Sequence, residues 1–162
     1  MRYPPKIPNT KEWKNVIEKE YKFHYITEYT DILPSSLLVT SCSKTKLVKK
    51  GYPKDLYHGK INKLFYKFVE NNNLDYGIIS DKYGLHMFDE NLPYYDIHPS
   101  SLSYAQKKDL GAKIREKIKN YGYKDIIFYY PSPLLSKPYF EMLWYSKLSV
   151  YYLSTISLIE RL

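Results

Sequence analysis

The sequence predicts an α/β fold with a mostly parallel sheet covered on both faces, on three observations. Short apolar runs that read as buried strands alternate with segments whose apolar residues recur every three to four positions. The strand-like runs are separated by helix-length segments, not by the two-residue turns of hairpins. The 162 residues, with a single cysteine, suffice for one domain whose core needs no disulfide. The expectation is a three-layer sandwich around a mostly parallel four-stranded sheet. It forms one domain over residues 1–162, in which residues 1–34 are an N-terminal extension with one helix.

Each element has its own signal. Met1 to Pro8 holds Pro4, Pro5 and Pro8 and reads as an extended lead-in. Asn9 and Glu12 make a capping-box-like pair. Trp13, Val16, Ile17 and Tyr21 follow at helical spacing, so Lys11 to Phe23 reads as a helix. Leu37 to Thr40 is a buried strand between serines, and a polar loop runs from Ser41 to Gly59. Ile61, Leu64, Phe65, Phe68 and Val69 then give the clearest amphipathic helix of the chain, ended by Asn71-Asn72-Asn73. Tyr76 to Ser80 is the second strand. A long loop from Asp81 to about Ser101 contains Pro93 and Pro99, and loops of that length are usually functional or mobile. Leu110, Ile114, Ile118 and Tyr121 mark a third helix, with Lys107, Lys108, Lys113, Lys117 and Lys119 on its wet side and Gly122 as its stop. Ile126 to Tyr130 is the third strand, broken by Pro131 and Pro133. Pro138 suits the first turn of a helix that continues through Tyr139, Met142 and Leu143. Val150 to Leu153 is the fourth strand.

Composition limits the function classes. The chain carries 25 Lys and Arg against 17 Asp and Glu, a formal charge of +8, and 20 tyrosines. So many aromatics exclude a disordered tail. One cysteine excludes a disulfide scaffold and a zinc ribbon. The uncharged stretches fall short of the roughly 20 apolar residues of a membrane span, and no apolar signal segment follows Met1. The expectation is a cytoplasmic protein with no membrane partner. The basic charge reads either as a compositional habit or as attraction to nucleic acid or a nucleotide, with tyrosines able to stack on bases. The four histidines, His24, His58, His86 and His98, lack metal-ligand spacing, so neither a metal nor another cofactor is expected.

In an open α/β sheet, ligands bind outside the carboxyl ends of the strands. The segments there are Ser41-Cys42-Ser43-Lys44-Thr45-Lys46, Ser80-Asp81-Lys82-Tyr83-Gly84-Leu85-His86 and Pro131-Ser132-Pro133. The first suits an anion, with small hydroxyls and lysines but without the glycines of a Walker loop. Cys42 reads either as a nucleophile whose pKa is lowered by Lys44 and Lys46, or as a small buried hydrophobe. Asp55 is either a helix cap or a substrate contact. Asp81 and Asp96 are candidate general bases or stabilisers of a sugar cation; Asp81 otherwise caps a turn, and Asp96 lies in the long loop, where Tyr94 and Tyr95 could stack on a base. Tyr57, Tyr83 and Tyr95 are candidate pocket walls, beside Lys82, Gly84 and Ser132.

The set Cys42-Ser43-x-x-Lys46, Asp55-Leu56-Tyr57, Ser80-x-Lys82-Tyr83-Gly84-Leu85 and Tyr95-Asp96 resembles a family of small prokaryotic and phage proteins of unassigned activity with an S-C-S-x-x-K motif. That motif is similar to the P-C-S-x-x-K of the archaeosine synthase core domain, a tRNA-modifying enzyme. More distantly the set resembles the YaaA peroxide-stress proteins, which bind DNA. The resemblance covers roughly Leu37 to Tyr139. It implies a sandwich like that of uracil-DNA glycosylases and an enzyme that modifies or excises a base in tRNA or DNA, which is the expected function. In that reading Lys46 with Ser41 to Ser43 holds phosphate or developing negative charge. The alternatives are a non-catalytic DNA- or RNA-binding module and an enzyme acting on a free nucleotide.

Overall fold

The expected apolar runs at 37–40, 76–80 and 126–130 lie in the middle of a sheet, buried on both sides. The computed structural model describes residues 2–27, 34–42, 49–130 and 133–154, with backbone alone at 133 and 134. In chain order it contains α1 (Trp13–Lys19), β1 (His24–Tyr25), β2 (Ser36–Ser41), β3 (Lys50–Gly51), α2 (Pro53–Leu56), α3 (Lys60–Asn71), β4 (Tyr76–Ser80), β5 (Gly84–Met87), β6 (Leu92–Pro93), α4 (Tyr104–Asn120), β7 (Asp125–Tyr129), α5 (Pro133–Ser146) and β8 (Ser149–Leu153).

Among the described residues, the central sheet has six strands in the order β1-β8-β7-β2-β4-β5, and β3 pairs with β6 in a separate ribbon. Every neighbour in the large sheet is parallel except β5, which runs antiparallel to β4. The sheet is thus mixed and mostly parallel, but with six strands where four were expected. β5 was hidden inside the long loop. Its turn, 81–83, is one residue longer than the two-residue hairpin signal, and Gly84 enters the strand at φ +76°, which favours glycine. β1 is two residues long, too short to show a period of two.

Alternation along the strands builds two cores. Leu37, Val39, Ile79, Ile126 and Phe128 face α1, α4 and α5. Leu38, Ile78, Ile127 and Tyr129 face α2 and α3, where Phe65, Phe68 and Val69 cover them. The result is three layers. The N-terminal segment belongs to the first core: Ile7, Ile17, Tyr21 and Phe23 are buried there, and the Tyr21 hydroxyl donates to the Pro5 carbonyl at 2.7 Å.

Three helix expectations are corrected. α1 begins at Trp13, not Lys11. Asn9 does not cap it, because its side-chain oxygen accepts from Lys137 Nζ, and Glu12 N–H bonds Thr10 Oγ1 instead. α5 starts at Pro133, so this proline opens the helix and Pro138 lies inside it, where a missing N–H removes one rung. Two of the five α4 lysines are not solvated: Lys107 pairs with Glu141 of α5 at 2.8 Å, and Lys117 reaches Glu90 at 2.9 Å and the Leu85 carbonyl at 2.6 Å. Their stems lie along the protein while the charge finds an acid.

α4 and α5 pack closely because Gly111 has no side chain. A Cβ there would lie 2.7 Å from the Met142 carbonyl oxygen and 2.8 Å from Tyr145 Cβ. Gly111→Ala is therefore expected to destabilise the protein by about 2 kcal/mol, the usual cost of overpacking a core, despite the helix propensity it gains. The denaturant midpoint checks this, and an unchanged or higher midpoint would show that the two helices slide apart freely.

Candidate active site at the carboxyl edge of the sheet

Two adjacent parallel strands place the first two functional groups. Cys42 follows β2 and Asp81 follows β4, and the Cys42 N–H donates to the Ile79 carbonyl at 2.9 Å, extending the ladder by one bond. Helix α5 contributes the third group. It follows β7 in a parallel crossover, so it begins at this edge and runs back along the sheet. Tyr139 on its buried face brings a hydroxyl to the same point.

The geometry is compact. The Cys42 thiol donates to Asp81 Oδ2 at 3.2 Å. The Tyr139 hydroxyl lies 3.3 Å from Cys42 Sγ and 3.4 Å from Asp81 Oδ2, to which it donates. Asp81 is only 4% exposed, and its other oxygen, Oδ1, is buried with no hydrogen-bond partner. Burial pushes its carboxyl up to about 6, against the opposing bonds from Cys42 and Tyr139 and the charge of nearby His98. The Cys42 thiol goes the opposite way from the expectation of a lowered pKa. Burial first, and then the Asp81 carboxylate, push it up to about 12. Burial also pushes the Tyr139 phenol up, so it remains a donor.

A second layer of polar groups lies beside this trio. The Ser80 hydroxyl donates to the Tyr95 hydroxyl at 2.7 Å. Tyr95 and Tyr57 hydroxyls are 3.1 Å apart, and Tyr57 is 3.2 Å from His86 Nδ1. His86 Nε2 lies 2.7 Å from the Glu90 carbonyl, which can only accept, so Nε2 carries the proton. Nδ1 of the neutral ring therefore accepts from Tyr57, Tyr57 accepts from Tyr95, and Tyr95 accepts from Ser80. All four groups are buried and bonded in one direction. Burial lowers the His86 pKa, consistent with the neutral ring. Ser80 Oγ also accepts the N–H groups of Lys82 and Tyr83 at 3.2 and 3.0 Å, which shapes the turn that carries Asp81.

The other expected site residues are spread around this centre. Ser41 is buried at the end of β2, with its carbonyl accepting from the buried Asn62 amide at 3.2 Å. Tyr83 packs edge-on against Tyr95 at 5.5 Å and donates to the Pro93 carbonyl, and Lys82 is exposed above the Tyr83 ring. Asp96 is exposed, next to buried Tyr95. Asp55 is exposed and caps α2 by accepting the Tyr52 N–H at 2.9 Å. Gly84 faces α4, where a Cβ would meet the Leu110 carbonyl at 2.8 Å. Ser43, Lys44, Lys46 and Ser132 lie outside the described residues. Among the described residues no group of three or more His, Cys, Asp or Glu side chains is gathered to hold a metal ion, and no helix is long and apolar enough to cross a membrane.

Sequence reasoning missed Tyr139, Ser80, His86 and Asn62 as site residues. Tyr139 reads as one more apolar position on a helix, and Asn62 as a polar position on one. Ser80 had a usable signal, a hydroxyl at a strand end directly before a carboxylate. The trio makes a direct prediction. Because Asp81 raises the thiol pKa, Asp81→Asn is expected to shift the pH profile of Cys42 alkylation to lower pH, read by mass spectrometry of the labelled chain. An unshifted profile would mean that burial alone sets the thiol.

Fold and site together define a three-layer α/β protein with an acid, a thiol and a phenol bonded at the carboxyl edge of its sheet. The chain belongs to a family of unknown function (DUF6884), whose model matches residues 37–145 and so includes Cys42, Asp81 and Tyr139. No curated protein and no solved structure matches it.

Proposed function

We propose that the protein is an enzyme acting on a nucleobase in tRNA or DNA, by base modification or N-glycosidic cleavage, with Asp81 as its general acid–base. The observation that carries this reading is the Asp81 carboxyl itself, buried at the carboxyl edge with one oxygen unpartnered and its pKa raised to about 6. A group that titrates near neutral pH both accepts and returns a proton readily. Ionised, it would also stabilise a sugar cation formed as a glycosidic bond breaks. Cys42 and Tyr139 hold Oδ2 and leave Oδ1 for the reacting molecule.

The nucleic-acid part rests on sequence: the +8 charge, and the likeness of Ser41-Cys42-Ser43-x-x-Lys46 to the archaeosine synthase motif. In this reading Lys44, Lys46 and Ser43 bind phosphate, Lys82 and Ser132 extend that contact, Asp96 assists at the rim, and Tyr57, Tyr83 and Tyr95 shape the pocket wall. The mostly parallel three-layer sheet suits a uracil-DNA-glycosylase-like relationship. A second reading, a non-catalytic DNA- or RNA-binding module, is favoured by one observation, the protonated resting thiol, which offers no ready nucleophile.

The test is mass spectrometry of tRNA and DNA nucleosides from cells with and without the gene, with complementation by Asp81→Asn, Lys46→Ala and Asp96→Ala. A nucleoside that changes on deletion and is restored by wild type but not by Asp81→Asn is the expected result. Unchanged nucleosides, together with salt-dependent binding of nucleic acid, would leave the binding module instead.

A further inference from the structure

Two buried side-chain polar atoms among the described residues have no hydrogen-bond partner: Asp81 Oδ1 and Ser136 Oγ. Native proteins pair nearly all such atoms, so an orphan at a site marks a place for something else. These two lie on the same side of the sheet. Asp81 continues the alternation of Ile79, which faces the α5 core. On α5, Ser136, Tyr139, Phe140 and Leu143 are all buried at the i, i+3, i+4, i+7 spacing of one helix face. Phe140 packs on Phe128 and Tyr130 at the end of β7, with ring centroids 5.1 and 5.6 Å away. Ser136 is one turn nearer the carboxyl edge. A helical side chain leans back over the preceding turn, so the Tyr139 ring reaches Asp81 over the turn that holds Ser136.

We propose that Asp81 Oδ1 and Ser136 Oγ form a two-point binding site for the pairing edge of a nucleobase, an N–H beside a hydrogen-bond acceptor. The site rests on the nucleobase reading above and adds to it the contact that selects the edge. The ligand N–H donates to Asp81 Oδ1, and the Ser136 hydroxyl donates to the neighbouring carbonyl or ring nitrogen. Oδ2 is already taken by the Cys42 and Tyr139 donors, so the carboxylate presents one oxygen to the ligand. The positive end of the α5 dipole lies at this edge and disfavours a cation, so a neutral donor fits better than an ammonium group.

The experiment titrates the purified full chain with uridine, guanosine, adenosine and cytidine by ligand-observed NMR, and with each base methylated on its donor nitrogen. At least one nucleoside is expected to bind, with its methylated form weaker by about tenfold or more, and Ser136→Ala is expected to weaken binding about fivefold to tenfold, the loss of one neutral hydrogen bond. Removing an orphan hydroxyl should leave the melting temperature of Ser136→Ala unchanged or raised, an outcome a structural serine would not give. Equal binding of the methylated forms, wild-type binding by Ser136→Ala, or no saturable binding by any nucleoside would each overturn the two-point site. Altered cellular nucleosides combined with wild-type binding by Ser136→Ala would overturn this site alone and leave the nucleobase reading standing.

Discussion

Asp81→Asn is expected to make the protein more stable at neutral pH while removing its proposed activity. The folded carboxyl titrates near 6, above the roughly 3.9 of an exposed aspartate, because burial disfavours its charge. Between those two values the folded chain binds more protons than the unfolded chain. Stability therefore falls as pH rises through about 4 to 6, and the full penalty applies above 6. Two pKa units correspond to roughly 3 kcal/mol, and asparagine gives back part of this by leaving an amide N–H without a partner. The net gain at pH 8 is expected to be about 2 kcal/mol, and it turns into a loss of about 1 kcal/mol below pH 4, where only the amide cost remains. Guanidinium midpoints of both proteins across pH 4 to 8 check this. A gain that does not change with pH, or a loss at pH 8, would show that Asp81 is a structural anchor. A carboxylate kept at a cost to stability is what a working group looks like.

The middle of the fold was legible because its signals are local. The runs at 37–40, 76–80 and 126–130 are apolar on both faces, as strands between two helical layers must be, and α3 buries Phe65, Phe68 and Val69 as its period predicts, although Leu64 of the expected stripe is exposed and Asn62 and Tyr66 share the buried face. The edges were not legible. β1 and β5 exist because longer strands offer them hydrogen bonds, which is a property of the partner and not of their own residues. The site divides the same way. Cys42 and Asp81 were readable from position, since each ends a buried strand. Their chemistry was not, because a thiol flanked in sequence by Lys44 and Lys46 is instead held against Asp81, a residue 39 positions away. Tyr57 and Tyr95 were expected as pocket walls. What the sequence did not show is that their hydroxyls meet in a chain that ends on His86, whose role no spacing rule suggests.

That chain yields the other large expected effect. Tyr57→Phe removes the central hydroxyl and leaves two buried groups unpaired at once: His86 Nδ1 loses its donor and Tyr95 loses its acceptor. Each orphan costs about 1–3 kcal/mol, so a loss of about 3 kcal/mol is expected although the ring and its packing remain. Direction makes the effect specific. With no donor at Nδ1, the neutral His86 ring loses one support while its burial remains, and its pKa is expected to rise in part from its lowered value, which NMR titration of the four histidines resolves. Tyr95→Phe should cost less than Tyr57→Phe, since Tyr57 then keeps its acceptor on His86 and Ser80 keeps the two backbone N–H groups it already accepts. The double variant should fall short of the sum by about 1 kcal/mol, because both single changes break the same Tyr57–Tyr95 bond. Additive losses and an unmoved His86 would mean that the four groups are neighbours without a shared chain. Coupled losses would mean that the turn carrying Asp81, tied to Ser80 through two backbone bonds, is held in place from within the core by Tyr57, distant from it in sequence and joined to it through the Tyr95 and Ser80 hydroxyls.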